Sequence, residues 1–403
     1  MIQTIQSIAG FEKLRTGWNE VLEASSSNCF FLTWEWLYTW WKHLSGNREL
    51  FLVTARHGEE LVAIAPLARK SPRFSRLWPF GTLEFLGTGN VGSDYLDFII
   101  RRDQEEECLP VLAQCLARKK SLLTLAQIKR QSCLVGELAR HWKEQGRSLR
   151  EASTNVCPTI NLSGHSWESY LATLGSEHRY NFRRKLKNLT HRFDVRFELA
   201  TTEEQRREAL PILLALHSSR WGERSDAFVT PELVSFHDEL SALALQQGWL
   251  RLFTLRLDSR PVASLYGFYY NRIFYFYQSG FDPGYAKHSL GLITMGLAIQ
   301  SAIAEGAQEY DLLHGNEGYK SHWAREIREL GRLELYPPGA LGPVWKQVRE
   351  IGRGLKKMAR NVLPPAVVER LSEARRKRAW KGPYVAYPRQ DRQFPRLTFD
   401  RDG

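Results

Sequence analysis

The sequence predicts a mixed α/β (α+β) protein of two tandem domains, residues 1–160 and 161–340, followed by a basic helical tail, 341–403. Three observations carry that reading. A hairpin occurs twice: residues 50–63 read LFLVTARHGEELVA and residues 250–263 read LRLFTLRLDSRPVA, identical at 6 of 14 positions. Each copy alternates apolar and polar residues on both sides of a polar turn, as a β-hairpin does, and self-similarity of this kind points to duplication. Helical spacings fill the intervals between strands. The charge, finally, is uneven: from Val344 to Gly403 there are 16 Lys and Arg against 6 Asp and Glu, which is +10 of the chain's net +12. The body is close to neutral, so the overall charge is no argument for nucleic-acid binding.

Taken in order, Thr33 is placed to cap a helix carrying Trp36, Leu37, Trp40 and Trp41, a face that reads as core. The first hairpin leads through Pro66 to a Gly-rich stretch, GTLEFLGTGNVGSDYLDFII. Ser166 is placed to begin a helix with Trp167, Tyr170, Leu171 and Leu174 on one face. Phe182, Leu186, Leu189 and Phe193 form the stripe of the next helix, with Arg183, Arg184, Lys185 and Lys187 mostly off it. Thr202 and Gln205 make a capping box. The second hairpin continues over a tight turn at Asn271-Arg272 into a third strand.

At 403 residues the chain is long enough for two cores. No apolar run has the length of a membrane span, and the first residues lack the order of a secretory signal. Five cysteines (Cys29, Cys108, Cys115, Cys133, Cys157) form no CxxC pair. No metal site or disulfide framework is expected, and a cytoplasmic setting is.

The chemistry concentrates in RIFYFYQSGFDPGYAKHSLGLITMGLAIQSAIAEGAQEYDLLHGNEGYKSHW, from Arg272 to Trp323. A strand, a turn at Asp282-Pro283-Gly284 and a loop with Lys287, His288 and Ser289 lead into a helix at Leu290, Gly291 and Leu292. Gly306 ends that helix, and a strand from Glu309 follows. Backbone N–H groups and the positive end of the dipole make such a helix start an anion site. An ordinary strand–helix–strand crossover explains the same residues equally well.

The order of these pieces resembles the cellulose-biosynthesis-type acetyltransferases (the CelD/BcsL type) of the GNAT superfamily, which are related to the Fem-type aminoacyl transferases. FFLTWEWLYTWW, VAIAPL, FLGTGNVGSDYLDF, YNFRRKL, LHSSRW and RPVASLYGF extend the likeness over roughly residues 20–335. The resemblance implies two GNAT-like domains and an acyl-CoA donor held between splayed strands. The donor pyrophosphate would meet Lys287, His288, Ser289, Leu290, Gly291 and Leu292. His288 stands where GNAT enzymes usually carry Arg or Gln. Lys320, in GYKSHW, matches a reaction-centre lysine of the Fem type, where it would stabilise an oxyanion; a surface lysine beside Trp323 is the plain alternative.

Asp311, His314 or a water is expected to accept the attacking amine's proton, and Tyr277, with Tyr275 on the same strand face, to protonate the departing thiolate. Asp94, Tyr95 and Asp97 with Arg220, Trp221 and Tyr319 are the expected acceptor residues. The implied reaction is N-acylation of a cell-envelope or polysaccharide precursor. The rivals are an aminoacyl-tRNA-dependent transferase using the basic run Arg179–Arg192, and a scaffold without chemistry. Val344, Val348, Ile351, Leu355, Met358 and Val362 share one helix face in the tail, which suggests contact with the inner membrane surface.

Overall fold

The computed structural model describes residues 1–71, 81–119, 121–130, 134–222, 225, 227–339 and 341–362. It divides into two compact units, Met1–Asn155 with the chain from Glu329, and Val156–Arg328. The tail residues beyond Val362, and Cys133, lie outside the described residues.

The first unit opens with β1 (Ile2–Ile5), α1 (Ile8–Lys13), α2 (Arg15–Glu23) and α3 (Trp34–Leu44). Its hairpin is β2 (Arg48–His57) and β3 (Glu60–Lys70), and β4 (Thr82–Phe85) and β5 (Ile99–Ile100) follow. Then come α4 (Glu105–Ala117), β6 (Leu122–Lys129) and α5 (Leu134–Glu144), with β7 (Leu149–Asn161) leading out. The second unit holds α6 (Trp167–Thr173), α7 (Ser176–Arg192), β8 (Val195–Leu199), α8 (Glu203–Trp221) and α9 (Pro231–Gln246). It continues with β9 (Leu250–Leu257), β10 (Arg260–Tyr270), β11 (Ile273–Phe281), α10 (Leu290–Ala304) and β12 (Glu309–Asp311). The chain returns to the first unit through β13 (Glu326–Leu335) and α11 (Leu341–Val362).

The expected caps form. Thr33 accepts from the N–H of Trp36, and Ser166 and Thr202 each close a capping box. Each satisfies an amide that the first helical turn leaves unpaired. Trp36 and Trp40 are core residues, as their spacing indicates.

The two units share one topology. In the first the strand order is β1-β2-β3-β4-β6-β13, and in the second β8-β9-β10-β11-β12-β7. In each, four antiparallel strands, β1 to β4 and β8 to β11, precede a helix that crosses over to a parallel strand, β4 to β6 and β11 to β12. The repeated hairpin carries the same irregularity in both copies. Ala55 pairs with Ala63 and Arg56 with Leu61, while Leu255 pairs with Ala263 and Arg256 with Pro261. The skipped residue is Val62 in one and Val262 in the other. A bulge at one shared position is a local feature that chance alternation does not produce. In the second unit α6, α7 and α10 cover one face of the sheet in a core built on Phe182, Phe274, Phe276 and Ile299. The helix α8 lies along β10 and β11.

Candidate active site

The strands β11 and β12 begin together and then part. Ile273, Phe274 and Tyr275 pair with Glu309, Tyr310 and Asp311, after which β11 runs on to Phe281 while the chain beyond Asp311 turns away. A β-bulge at Tyr277 helps to set this: Tyr266 pairs with Gln278 but Gly267 with Phe276. Bulges bend a strand and re-aim its side chains. The parting is fixed on the far side by a pinned loop. Asp311, fully buried, accepts from the N–H of Leu313 at 2.8 Å, and Leu313 takes a left-handed conformation at φ 55. The Lys320 ammonium reaches Leu313 O at 3.3 Å, His314 O at 2.9 Å and Glu317 Oε2 at 3.0 Å. An ammonium has three N–H bonds to give, and these three acceptors match them. Asp311 also faces Arg328 at 3.6 Å. Lys320 is therefore a buried lysine, not a surface one, and its charge is spent on the loop.

Across the gap, α10 starts at Leu290 after Ser289, which sits at φ 57, φ > 0 being costly for a residue with a Cβ. Ser289 O accepts from Leu292 and Ile293, and the amides of Leu290 and Gly291 have no acceptor among the described residues. A Cβ on Gly291 would meet only the Phe281 ring, at 3.7 Å, an ordinary contact. The first turn holds no acidic residue. The equivalent helix of the first unit, α4, begins Glu105-Glu106-Glu107. Those carboxylates already complement their helix dipole and would repel an anion, whereas the start of α10 is open to one.

Sequence spacing alone does not reveal the further cations that α7 brings to this place. Lys185 Nζ donates to Lys287 O at 3.2 Å, tying α7 to the loop before α10. Burial lowers the pKa of His288, and the charges of Arg192, Lys287 and Lys185 push it the same way. The basic run of α7 is thus divided. Lys185 and Arg192 face the α10 start, while Arg179 bonds to Leu171 O and Ala172 O and Arg183 to Glu168.

A narrow slot of about 10 Å³, room for about one water, is lined by Arg220, Ser264, Ser279, Phe281, Gly291 and Thr294 among others. The Thr294 hydroxyl is buried with no hydrogen-bond partner. Arg220 donates to Ser279 Oγ at 3.0 Å and stands 4.3 Å from the Trp221 ring, 4.7 Å from Phe281 and 6.0 Å from Tyr319. Burial pulls the Arg220 pKa down, opposed by Tyr319 and Glu317. Three expected acceptor residues, Arg220, Trp221 and Tyr319, thus form one cluster around a caged guanidinium.

The other expected residues have partners of their own. Asp94 and Tyr95 belong to the first unit, where Gln127 donates to Asp94 at 2.9 Å and Tyr95 O accepts from Cys29. The Asp97 carboxylate accepts from Leu134 N at 3.0 Å and Val135 N at 2.9 Å, capping α5. The Tyr277 hydroxyl meets His237 Nε2 at 3.4 Å, on the side of α9.

Two histidines that the sequence reading did not single out lie against β11, His217 at Gln278 and His237 at Tyr277. His217 Nε2 lies 3.2 Å from Gln278 Oε1 and 3.3 Å from Ser225 Oγ. Burial lowers its pKa to about 4, helped by Arg220 and opposed by Gln278. His237, fully buried, is lowered to about 3 by burial and by His217. Both rings are neutral near pH 7.

Parting parallel strands, a helix start with cations beside it and a slot lined by Arg220, Gly291 and Thr294 are the features that this part of the second unit brings together. Residues 176–321, within the second unit, match the family model of the acetyltransferase (GNAT) domain, and the protein is an acyltransferase. Among solved structures the chain is similar to FemX, at 12% identity over 83% of this chain and 96% of that one, TM-score 0.58. It is similar also to L-PGS from Bacillus licheniformis, at 12% identity, 84% and 96% coverage, TM-score 0.51. The C-terminal domain of a putative lysylphosphatidylglycerol synthetase from Agrobacterium fabrum matches at 11% identity, 85% and 95% coverage, TM-score 0.51. At such identities these likenesses speak of the fold. No curated protein matches the chain in sequence.

Proposed function

We propose that the second unit transfers an acyl group from an acyl-CoA to an amine of a cell-envelope or polysaccharide precursor, as enzymes of the cellulose-biosynthesis type would. The carrying observation is the asymmetry between the two crossover helices. Only α10 presents unpaired amides without a first-turn acid, and only it has Lys287 and Lys185 at its start. The pyrophosphate would sit on the amides of Leu290 and Gly291. The amide-bearing arm of the donor would follow the edge of β11 past Tyr275, in the manner of an added strand, with the Thr294 hydroxyl within the slot. The amine attacks the thioester carbon, a C–N bond forms, the C–S bond breaks, and the thiolate leaves, taking up the proton that the amine nitrogen gives up. Lys320, whose three N–H bonds are already given, holds the loop in this reading and does not meet the oxyanion. Arg220, Trp221 and Tyr319 are the acceptor-side residues of this reading.

Thiol release from short acyl-CoAs with a panel of amino sugars tests it, and turnover above background is the expected result. A second reading has an observation of its own. Lys185 and Arg192 on α7 stand beside the same helix start, where a phosphodiester chain would be held as well. Turnover with charged tRNA alone would make the enzyme an aminoacyl-tRNA-dependent transferase. Absence of both turnover and coenzyme A binding by calorimetry would return the fold to a scaffold role.

A further inference from the structure

The helix α11 is turned the opposite way from an ordinary surface helix. Its spacing puts Val344, Val348 and Ile351 on one face and Arg349 and Arg353 on the other. A helix docked by hydrophobic burial hides the first set and exposes the second. Here Val344 is 57% exposed, Val348 48% and Ile351 57%, while the arginines point at the body. Arg353 donates to Glu334 Oε1 at 2.6 Å and also reaches Oε2, and Arg349 stands 3.8 Å from Oε1. Glu334, on β13, is 1% exposed and accepts a further bond from the Tyr336 hydroxyl at 2.9 Å. A buried carboxylate without cations is costly, whereas one that receives charge-assisted bonds is anchored. Glu334 thus fixes the rotation of the helix and presents the apolar face outward.

That face needs a cover, and charge names it. The chain from Val344 onward carries +10 net. Two copies meeting through this face would bring two such segments together, and like charges oppose that contact. An anionic lipid surface accepts the apolar stripe among its acyl chains and attracts the cations around it. The sequence repeats the spacing at Leu355, Met358 and Val362, whose side chains lie outside the described residues.

We infer that α11 docks the enzyme on an anionic lipid bilayer through Val344, Val348 and Ile351, with Glu334 as the residue that orients the helix. The inference is independent of the donor reading, since it uses no residue of the second unit. Co-sedimentation of the full chain with phosphatidylcholine vesicles, with and without phosphatidylglycerol, tests it. Wild type should pellet with the phosphatidylglycerol vesicles and stay in solution with the others. The triple variant Val344→Ser, Val348→Ser, Ile351→Ser keeps every charge and should partition at least ~10-fold more weakly. The positions are exposed, so its melting temperature should match wild type; should it not, Val348→Asp alone serves the same comparison. Equal partitioning of variant and wild type, or wild type remaining in solution with phosphatidylglycerol vesicles, would overturn the inference. So would a concentration-dependent dimer in sedimentation velocity that the triple variant abolishes.

Discussion

Gly291 and Lys320 are both in the matched domain, yet their side chains are asked for different things. At Gly291 an added Cβ meets only the Phe281 ring, at 3.7 Å, so the fold itself does not demand glycine there. Gly291→Ala should fold with a melting temperature close to wild type. Gly291→Asp sets a negative charge over the amides of α10 and should reduce coenzyme A affinity by ~10-fold or more, read by calorimetry. Unchanged affinity in the Asp variant would remove the α10 start as the donor site. Lys320 is another matter. Its ammonium holds Leu313 O, His314 O and Glu317, beside a left-handed Leu313. Lys320→Ala leaves two carbonyls without their charged donor and should lower stability by about 1–3 kcal/mol in denaturant titration. Turnover should fall along with it, because the same loop sets the parting of β11 and β12. A variant as stable as wild type but inactive would restore the lysine to direct chemistry.

At the scale of elements, α8 packs tightly on β11, backbone against backbone. A Cβ at Gly280 would lie 2.2 Å from His217 N and 2.4 Å from Leu216 C, both backbone atoms. Helix backbone cannot swing aside as a side chain can, so Gly280→Ala must push α8 off the strand. It should cost about 2–4 kcal/mol in denaturant titration and weaken donor binding, since Ser279 and Phe281, which line the slot beside Gly291, move with it. Tolerance of alanine there would mean that α8 sits further from β11 than described. How much of this was legible depends on distance along the chain. Caps and hairpins rest on neighbours in sequence, so Thr33, Ser166, Thr202 and the paired hairpins could be read directly. Asn271-Arg272 was readable too, and both residues take positive φ in the turn. The cations at the α10 start were not, because Lys185 reaches Lys287 only through the packing of α7 on α10. The cap that Asp97 makes was hidden for the same reason: the helix it caps begins 37 residues later, at Leu134. The tail stripe was visible in spacing, but its outward rotation depends on Glu334, a residue of another element.

For the molecule as a whole, the shared topology of the units makes their differences informative. Duplication supplied two crossover helices, and the acids of α4 against the bare start of α10 leave one of them suited to an anion. The second unit also bears a cost that the sequence does not announce, two histidines sealed in a neutral state. His217 titrates near 6.5 when unfolded and at about 4 in the fold, and His237 at about 3. Between those values the unfolded chain binds protons that the folded chain refuses, so stability must fall as pH drops below 6.5. Above that pH neither state is protonated at these rings and the contribution is constant. Each histidine should remove about 2 kcal/mol between neutral pH and about pH 5. His217 is the useful handle, since glutamine in its place keeps a polar group toward Gln278 and Ser225 and cannot be charged. Urea titrations of wild type and His217→Gln from near neutral pH to about pH 4.5 should give a shallower acid slope in the variant. Parallel slopes would show that His217 is already accessible to protons in the folded state, and would put water in contact with its ring.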